Sequence, residues 1–145
     1  MSPRTDPAPP RPRTSFGYTI VYVEDVSTTM AFYTDAFGLE PRFVTPEGDY
    51  GELETGPTTL AFVALGLAEA NLDTAGGFTR LDRTSAPPAV TITLVTDDVG
   101  SAVSAALAAG ARRYVDASPK PWGQVVAYVV DPNGVLVEVA TPVAP

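Results

Sequence analysis

One pattern occurs twice in this chain at a fixed offset, and it governs what the chain can fold into. The segment Tyr18–Val23 is rich in β-branched and aromatic residues, as a strand should be. Asp25 follows as a helix N-cap, and Val26, Met30, Tyr33 and Phe37 then recur at spacings that place them on one helical face. Gly38 supplies the left-handed stop. From Thr91 the same order returns: a β-rich run, Asp98 as cap, then Val99, Val103, Ala106 and Gly110. Residue 25 matches residue 98, an offset of 73 that Val26/Val99 and Met30/Val103 keep. Three strand candidates follow each helix: Pro41–Pro46, Asp49–Thr55 and Thr58–Leu65 in the first copy, Arg112–Ala117, Gly123–Val130 and Val135–Thr141 in the second.

A strand–helix–three-strand unit present twice predicts an α+β fold: two βαβββ modules whose curved mixed sheets, each with a helix on its outer face, surround a cavity. The expected organisation is an N-terminal arm over residues 1–15, a first module over 16–65, a linker or flap over 66–88 and a second module over 89–145. The arm is expected to be disordered, because five prolines stand between Met1 and Thr14 without an apolar run. Within the linker, Gly76-Gly77 and Pro87-Pro88 mark irregular backbone, with a short helical turn at Ala68–Leu72.

Composition narrows the chemistry. The chain has no cysteine and no histidine, which removes the thiolate nucleophile, the disulfide framework and the commonest zinc ligands together. Acid–base work would fall to Asp, Glu, Tyr, Lys or water. A formal net charge of −8 repels phosphate backbones and argues against nucleic acid as a partner. No run approaches the ~20 apolar residues of a membrane span, and no hydrophobic signal segment is visible, so a cytoplasmic, soluble protein is the expectation.

Two stretches carry a family resemblance. They are Tyr22-Val-Glu-Asp25 with Ala31-Phe-Tyr-Thr-Asp-Ala-Phe-Gly-Leu39, and Pro121-Trp-Gly-Gln-Val-Val-Ala-Tyr-Val-Val-Asp-Pro-Asn-Gly-Val-Leu-Val-Glu138. With them the chain resembles the vicinal oxygen chelate superfamily of glyoxalase I, bleomycin-resistance proteins and extradiol dioxygenases, over about Phe16–Pro142. Metalloenzymes of that superfamily hold a metal on four side chains, on the first and last strand of each module. The resemblance carries those places to Tyr18, Ala61, Thr91 and Glu138. Ala61 has no donor atom, Thr91 is a poor neutral ligand, and Tyr18 would have to ionise from ~10. One carboxylate falls short of what a divalent ion requires. The expectation is therefore no metal and no cofactor.

A cup without its metal is left with binding. The resemblance then points to the resistance-type members, which sequester a drug or natural product, often at the boundary of a symmetric homodimer. Tyr18, Ala61, Thr91, Trp122, Glu138, Phe43 and Tyr50 are the candidate ligand-binding residues, suited to an aromatic or cationic molecule. Trp122 is expected to open a strand, and Phe62, opposite in alternation to Ala61, to be core. Glu138, among Val135, Leu136, Val137 and Val139, requires a partner. Three readings stand side by side: a bond to Tyr18 or Thr91, an anchor for a ligand's ammonium or amide, or a catalytic pair with Tyr18. The last would support a metal-free isomerase, cyclase or lyase. Asp97 and Asp98 are read as solvent and cap, Glu47, Asp49, Glu52 and Glu54 as a solvated rim, and Arg112-Arg113 as counter-charges at a strand start.

Overall fold

The computed structural model of the chain describes residues 6–143. Residues 6–17 form neither helix nor strand, and the first five residues of the expected arm lie outside the described part. The first module comprises β1 (Tyr18–Val23), α1 (Val26–Phe37), β2 (Pro41–Val44), β3 (Tyr50–Leu53) and β4 (Thr59–Ala64). The second comprises β5 (Thr91–Val95), α3 (Val99–Ala108), β6 (Arg112–Pro119), β7 (Val125–Val130) and β8 (Leu136–Ala140). Between them lie α2 (Leu65–Leu72) and a single 3₁₀ turn at Asp73–Ala75. The fold is the α+β pair of mixed four-stranded sheets that the repeat predicts, but the two module helices, expected on the outer faces, pack against each other inside one shared core. The strand orders are β1-β4-β3-β2 and β5-β8-β7-β6. In each, the first strand runs parallel to the last and the remaining pairs are antiparallel.

Both helices begin where their caps require. Asp25 Oδ1 accepts the Thr28 amide at 2.8 Å, and Asp98 Oδ1 accepts the Ser101 amide at 3.0 Å. These bonds hold both carboxyl groups below the usual aspartate range. Gly38 ends α1 at φ 70° and donates its amide to the Thr34 carbonyl.

One hydrophobic core serves both modules. Val26, Met30, Phe32, Tyr33 and Ala36 of α1 meet Val99, Val103 and Ala106 of α3, and both helices rest on Leu53, Leu60, Phe62, Val129, Val137 and Val139 of the sheets. Phe62 stacks on Tyr33 with ring centroids 5.4 Å apart, so its place is in the core. Strand alternation sends the other side chains to the opposite sheet faces, which look outward from this shared core. At the 73-residue offset, Phe32, Tyr33 and Phe37 of α1 correspond to Ala105 and Ala106 of α3 and to Gly110 just after it. The lighter side chains along α3 leave a groove of about 600 Å³ beside β5, lined by Phe37, Leu39, Leu94, Ala102 and Ala105 among others.

The modules are joined by a buried polar contact. Tyr33 Oη donates to Asp131 Oδ2 at 2.6 Å, while Asp131 Oδ1 accepts the amides of Asn133, Gly134 and Val135 at 2.8–2.9 Å. Asn133 Nδ2 donates to Thr29 Oγ1 at 3.0 Å. Burial pushes the Asp131 carboxyl above its ordinary range and these donors pull it back.

The linker is packed onto the body: Ala68 is buried, Leu81 rests against the core, and three further contacts fix its course. The Phe78 ring meets Tyr22 edge-on at 4.9 Å, and Arg112 Nη2 donates to the Arg83 carbonyl at 3.1 Å. At the third, the backbone of Asp82 and Arg83 passes so close to Gly134 that a Cβ there would sit 2.9–3.0 Å from it. Gly134 also has φ 112°, where L side chains are strained by about 1–3 kcal/mol. Gly134→Ala is therefore expected to cost at least that amount in urea denaturation. An unchanged midpoint would show that the linker is not seated on this turn.

Candidate functional site

The strand registers define equivalent rows on the two outward sheet faces. In the first sheet, Ile20 lies beside Ala61, Ala61 beside Glu52, and Glu52 beside Phe43. In the second, Thr93 lies beside Glu138, Glu138 beside Tyr128, and Tyr128 beside Val115. Tyr18, beside Thr59, and Thr91, beside Leu136, stand one row away on the same faces. Each row carries one carboxylate, on the last strand in the second module and on the strand next to it in the first.

Glu138 is half-buried. Tyr128 Oη donates to its Oε2 at 2.5 Å and Thr93 Oγ1 donates to its Oε1 at 3.1 Å. Thr91 reaches this group only through Thr93, with the two hydroxyl oxygens 3.2 Å apart. Of the three readings of Glu138, the direct bond to Tyr18 or Thr91 does not form, because its partners are Thr93 and Tyr128. In a parallel register the side chain beside Glu138 is Thr93, and Tyr128 faces it from the antiparallel side. Tyr128 and Thr93 escaped sequence reasoning because strand pairing, which the linear pattern does not display, selects them. Among the described residues no Lys or Arg forms an ion pair with Glu138.

Tyr18 belongs to the first sheet, is 56% exposed and has no hydrogen bond to Glu138. Within one chain these two residues do not form the acid–base pair that the enzyme reading requires. Phe43 and Tyr50 do come together, with ring centroids 5.8 Å apart. Ala61 is fully buried at the centre of its row. Trp122 is 62% exposed and sits in the turn between β6 and β7 instead of opening a strand. Its Nε1 donates to Gln124 Oε1 at 2.6 Å, and the turn closes by the Lys120 amide on the Gln124 carbonyl.

The expected solvated rim is also corrected at Glu52, which is buried and charge-paired. A register shift between Pro41 and Phe43 bulges β2 and brings Arg42 over the same face. Arg42 Nη1 donates to Glu52 Oε1 at 2.9 Å and to Thr59 Oγ1 at 3.1 Å, and its Nε and Nη2 grip both oxygens of Glu54 at 2.9 Å. Tyr50 Oη donates to the other Glu52 oxygen at 2.6 Å. Its phenol is pushed up to about 12, first by burial and then by this bond. Of the two expected counter-charges, Arg113 pairs with Asp116 at 2.7 Å, while Arg112 serves the linker.

The places Tyr18, Ala61, Thr91 and Glu138 do not suit a divalent metal: they offer one carboxylate, two neutral hydroxyls and a methyl group. Among the described residues no three acidic, histidine or cysteine side chains converge into a metal-binding group.

The glyoxalase/bleomycin resistance protein/dioxygenase superfamily matches residues 15–139 of this sequence. The chain belongs to that superfamily. Solved structures of similar fold include a glyoxalase/bleomycin resistance protein/dioxygenase family enzyme from Burkholderia phytofirmans, with TM-score 0.71, 20% identity, and 88% of this chain and 97% of that one covered. TioX from Micromonospora aligns with TM-score 0.64 and 18% identity over 88% and 98% of the two chains. Lactoylglutathione lyase from Agrobacterium tumefaciens aligns with TM-score 0.63 and 22% identity over 90% and 95%. No curated protein sequence matches. At these identities the likeness establishes the fold, which hosts many chemistries within the superfamily.

The Glu138 bond raises the ionisation of Tyr128 above that of an ordinary phenol, because tyrosinate would face a carboxylate. Glu138→Gln removes that charge, so one tyrosine is expected to ionise at lower pH than in the wild type. Titration of ring-labelled tyrosine by carbon NMR checks this. Identical titration curves would dissolve the Tyr128–Glu138 pair.

Proposed function

We propose that this protein holds a small aromatic or cationic molecule, a drug or natural product, without a metal and without turning it over. The observation that carries the reading is Glu138, a half-buried carboxylate on an outward sheet face whose hydrogen-bonding partners among the described residues are neutral hydroxyls. A carboxylate with no counter-charge gains most from a ligand ammonium, through charge-assisted hydrogen bonds. A net charge of −8 raises the local concentration of cations around the protein. The exposed rings of Tyr18, Phe43 and Trp122 can add stacking of about 0.5–2 kcal/mol each.

The same reading includes a homodimer working in the cytoplasm. Tyr18, Ile20, Phe43 and Val95 leave apolar surface open on the two sheet faces, and a second copy would cover it while closing each open face into a cup. No helix among the described residues is long and apolar enough to cross a membrane.

1-Naphthylmethylamine, a flat aromatic monocation, is a suitable probe. It is expected to quench Trp122 fluorescence and raise the melting temperature, with the protein sedimenting as a dimer. Glu138→Gln should weaken binding at least ten-fold, about the value of one hydrogen bond to a charged group. If a broad panel of aromatic amines moves neither fluorescence nor melting temperature, the binding role falls.

A further inference from the structure

The two carboxylates that occupy equivalent rows differ in one respect that bears on which ligands fit, and the following rests on the binding role proposed above. Among the described residues Glu138 has neutral donors alone. Glu52 has a cation of the protein's own. The β2 bulge sets Arg42 over the face, where its guanidinium contacts Glu52, Thr59 and both oxygens of Glu54. The Arg42 side chain is 31% exposed and that of Glu52 only 9%, so the arginine lies on the outer side of the carboxylate. Tyr50 takes the remaining Glu52 oxygen. Both carboxylates thus have one donor on each oxygen, and the difference is that one of the donors to Glu52 is charged.

We infer that Arg42 is a resident cation that fills the acidic subsite of the first module, so each chain accepts one ligand ammonium, at Glu138, and rejects a second. The duplicated fold offers two half-cups, and the arginine makes them unequal. Specificity follows by exclusion: an ammonium approaching the first sheet meets a guanidinium, while the same group approaching the second meets an unmatched carboxylate. Arg42 is thus a specificity-determining residue placed by a one-residue bulge.

The test is the stoichiometry of 1-naphthylmethylamine measured by titration calorimetry. Wild type is expected to bind one amine per chain. Arg42→Gln, which keeps a neutral donor for Glu52, is expected to bind two. Arg42→Lys, which keeps the charge, is expected to bind one. Adding Glu138→Gln should reduce the count to none in the wild-type background and to one in the Arg42→Gln background. Two amines per wild-type chain, or one per chain in Arg42→Gln, would overturn the inference while leaving ligand binding intact. A wild type that binds no amine would overturn both. Should Arg42→Gln fail to fold, Glu52→Gln and Glu138→Gln in otherwise wild-type protein decide the matter. Loss of binding in the first, with retention in the second, would place the ammonium at Glu52 and refute the assignment.

Discussion

The bond between Tyr33 and Asp131 sets how the two halves of the chain face one another. It ties the helix of the first module to the last turn of the second, in a place from which water is excluded. A buried carboxylate is tolerable only when its lone pairs are occupied, and here one phenol and three backbone amides occupy them. Removing the phenol would leave one oxygen of a buried carboxylate unsatisfied, so the contact specifies orientation as well as contributing energy. With α1 held against this turn, both helices are enclosed in a single core and the opposite faces of both sheets turn outward. The carboxylates, hydroxyls and rings of the candidate site stand on those outward faces.

Much of this arrangement is readable along the chain because it depends on local order. The offset between Asp25 and Asp98 predicts two capped helices, and both caps form. Alternation separates Phe62 from Ala61 correctly, one to the core and one to the site face. Glu138 stands out as a carboxylate within an apolar run, and the structure gives it the partners such a group demands. What cannot be read is pairing. Thr93 and Tyr128 are not adjacent to Glu138 in sequence, 45 and 10 residues away, and parallel and antiparallel registers alone bring them to it. Arg42 and Glu52 are hidden for a related reason. A bulge has no periodic signature, so acidic residues at Glu47–Glu54 resemble a solvated rim until the guanidinium above Glu52 is seen.

The linker shows the same limit from another side. Its glycines and prolines mark irregular backbone, yet nothing local reveals that Asp82 and Arg83 lie against Gly134. In the Asp131-Pro-Asn-Gly134 turn, the glycine accommodates both a positive φ and the passing chain, two demands that a sequence motif merges into one. Contacts of this kind are long in sequence and short in space. They are decided only after both modules have folded.

Duplication begins with two equal halves, and the differences between them mark where the chain has been specialised. On the helix side, Phe32, Tyr33 and Phe37 against Ala105, Ala106 and Gly110 make one helix a keystone and leave a groove beside the other. On the sheet side, Ala61 against Glu138 and Glu52 against Tyr128 exchange a carboxylate between neighbouring strands of the same row. The exchange has a chemical consequence. A carboxylate on the third strand lies within reach of the bulged second strand and its arginine, and is ion-paired there, sharing the guanidinium with Glu54. On the last strand its partners among the described residues are a hydroxyl of the parallel first strand and the phenol, and no cation pairs with it. The position of a single acid along one row of a sheet thus separates a structural ion pair from a carboxylate held by neutral hydroxyls, the group proposed above to meet the ligand.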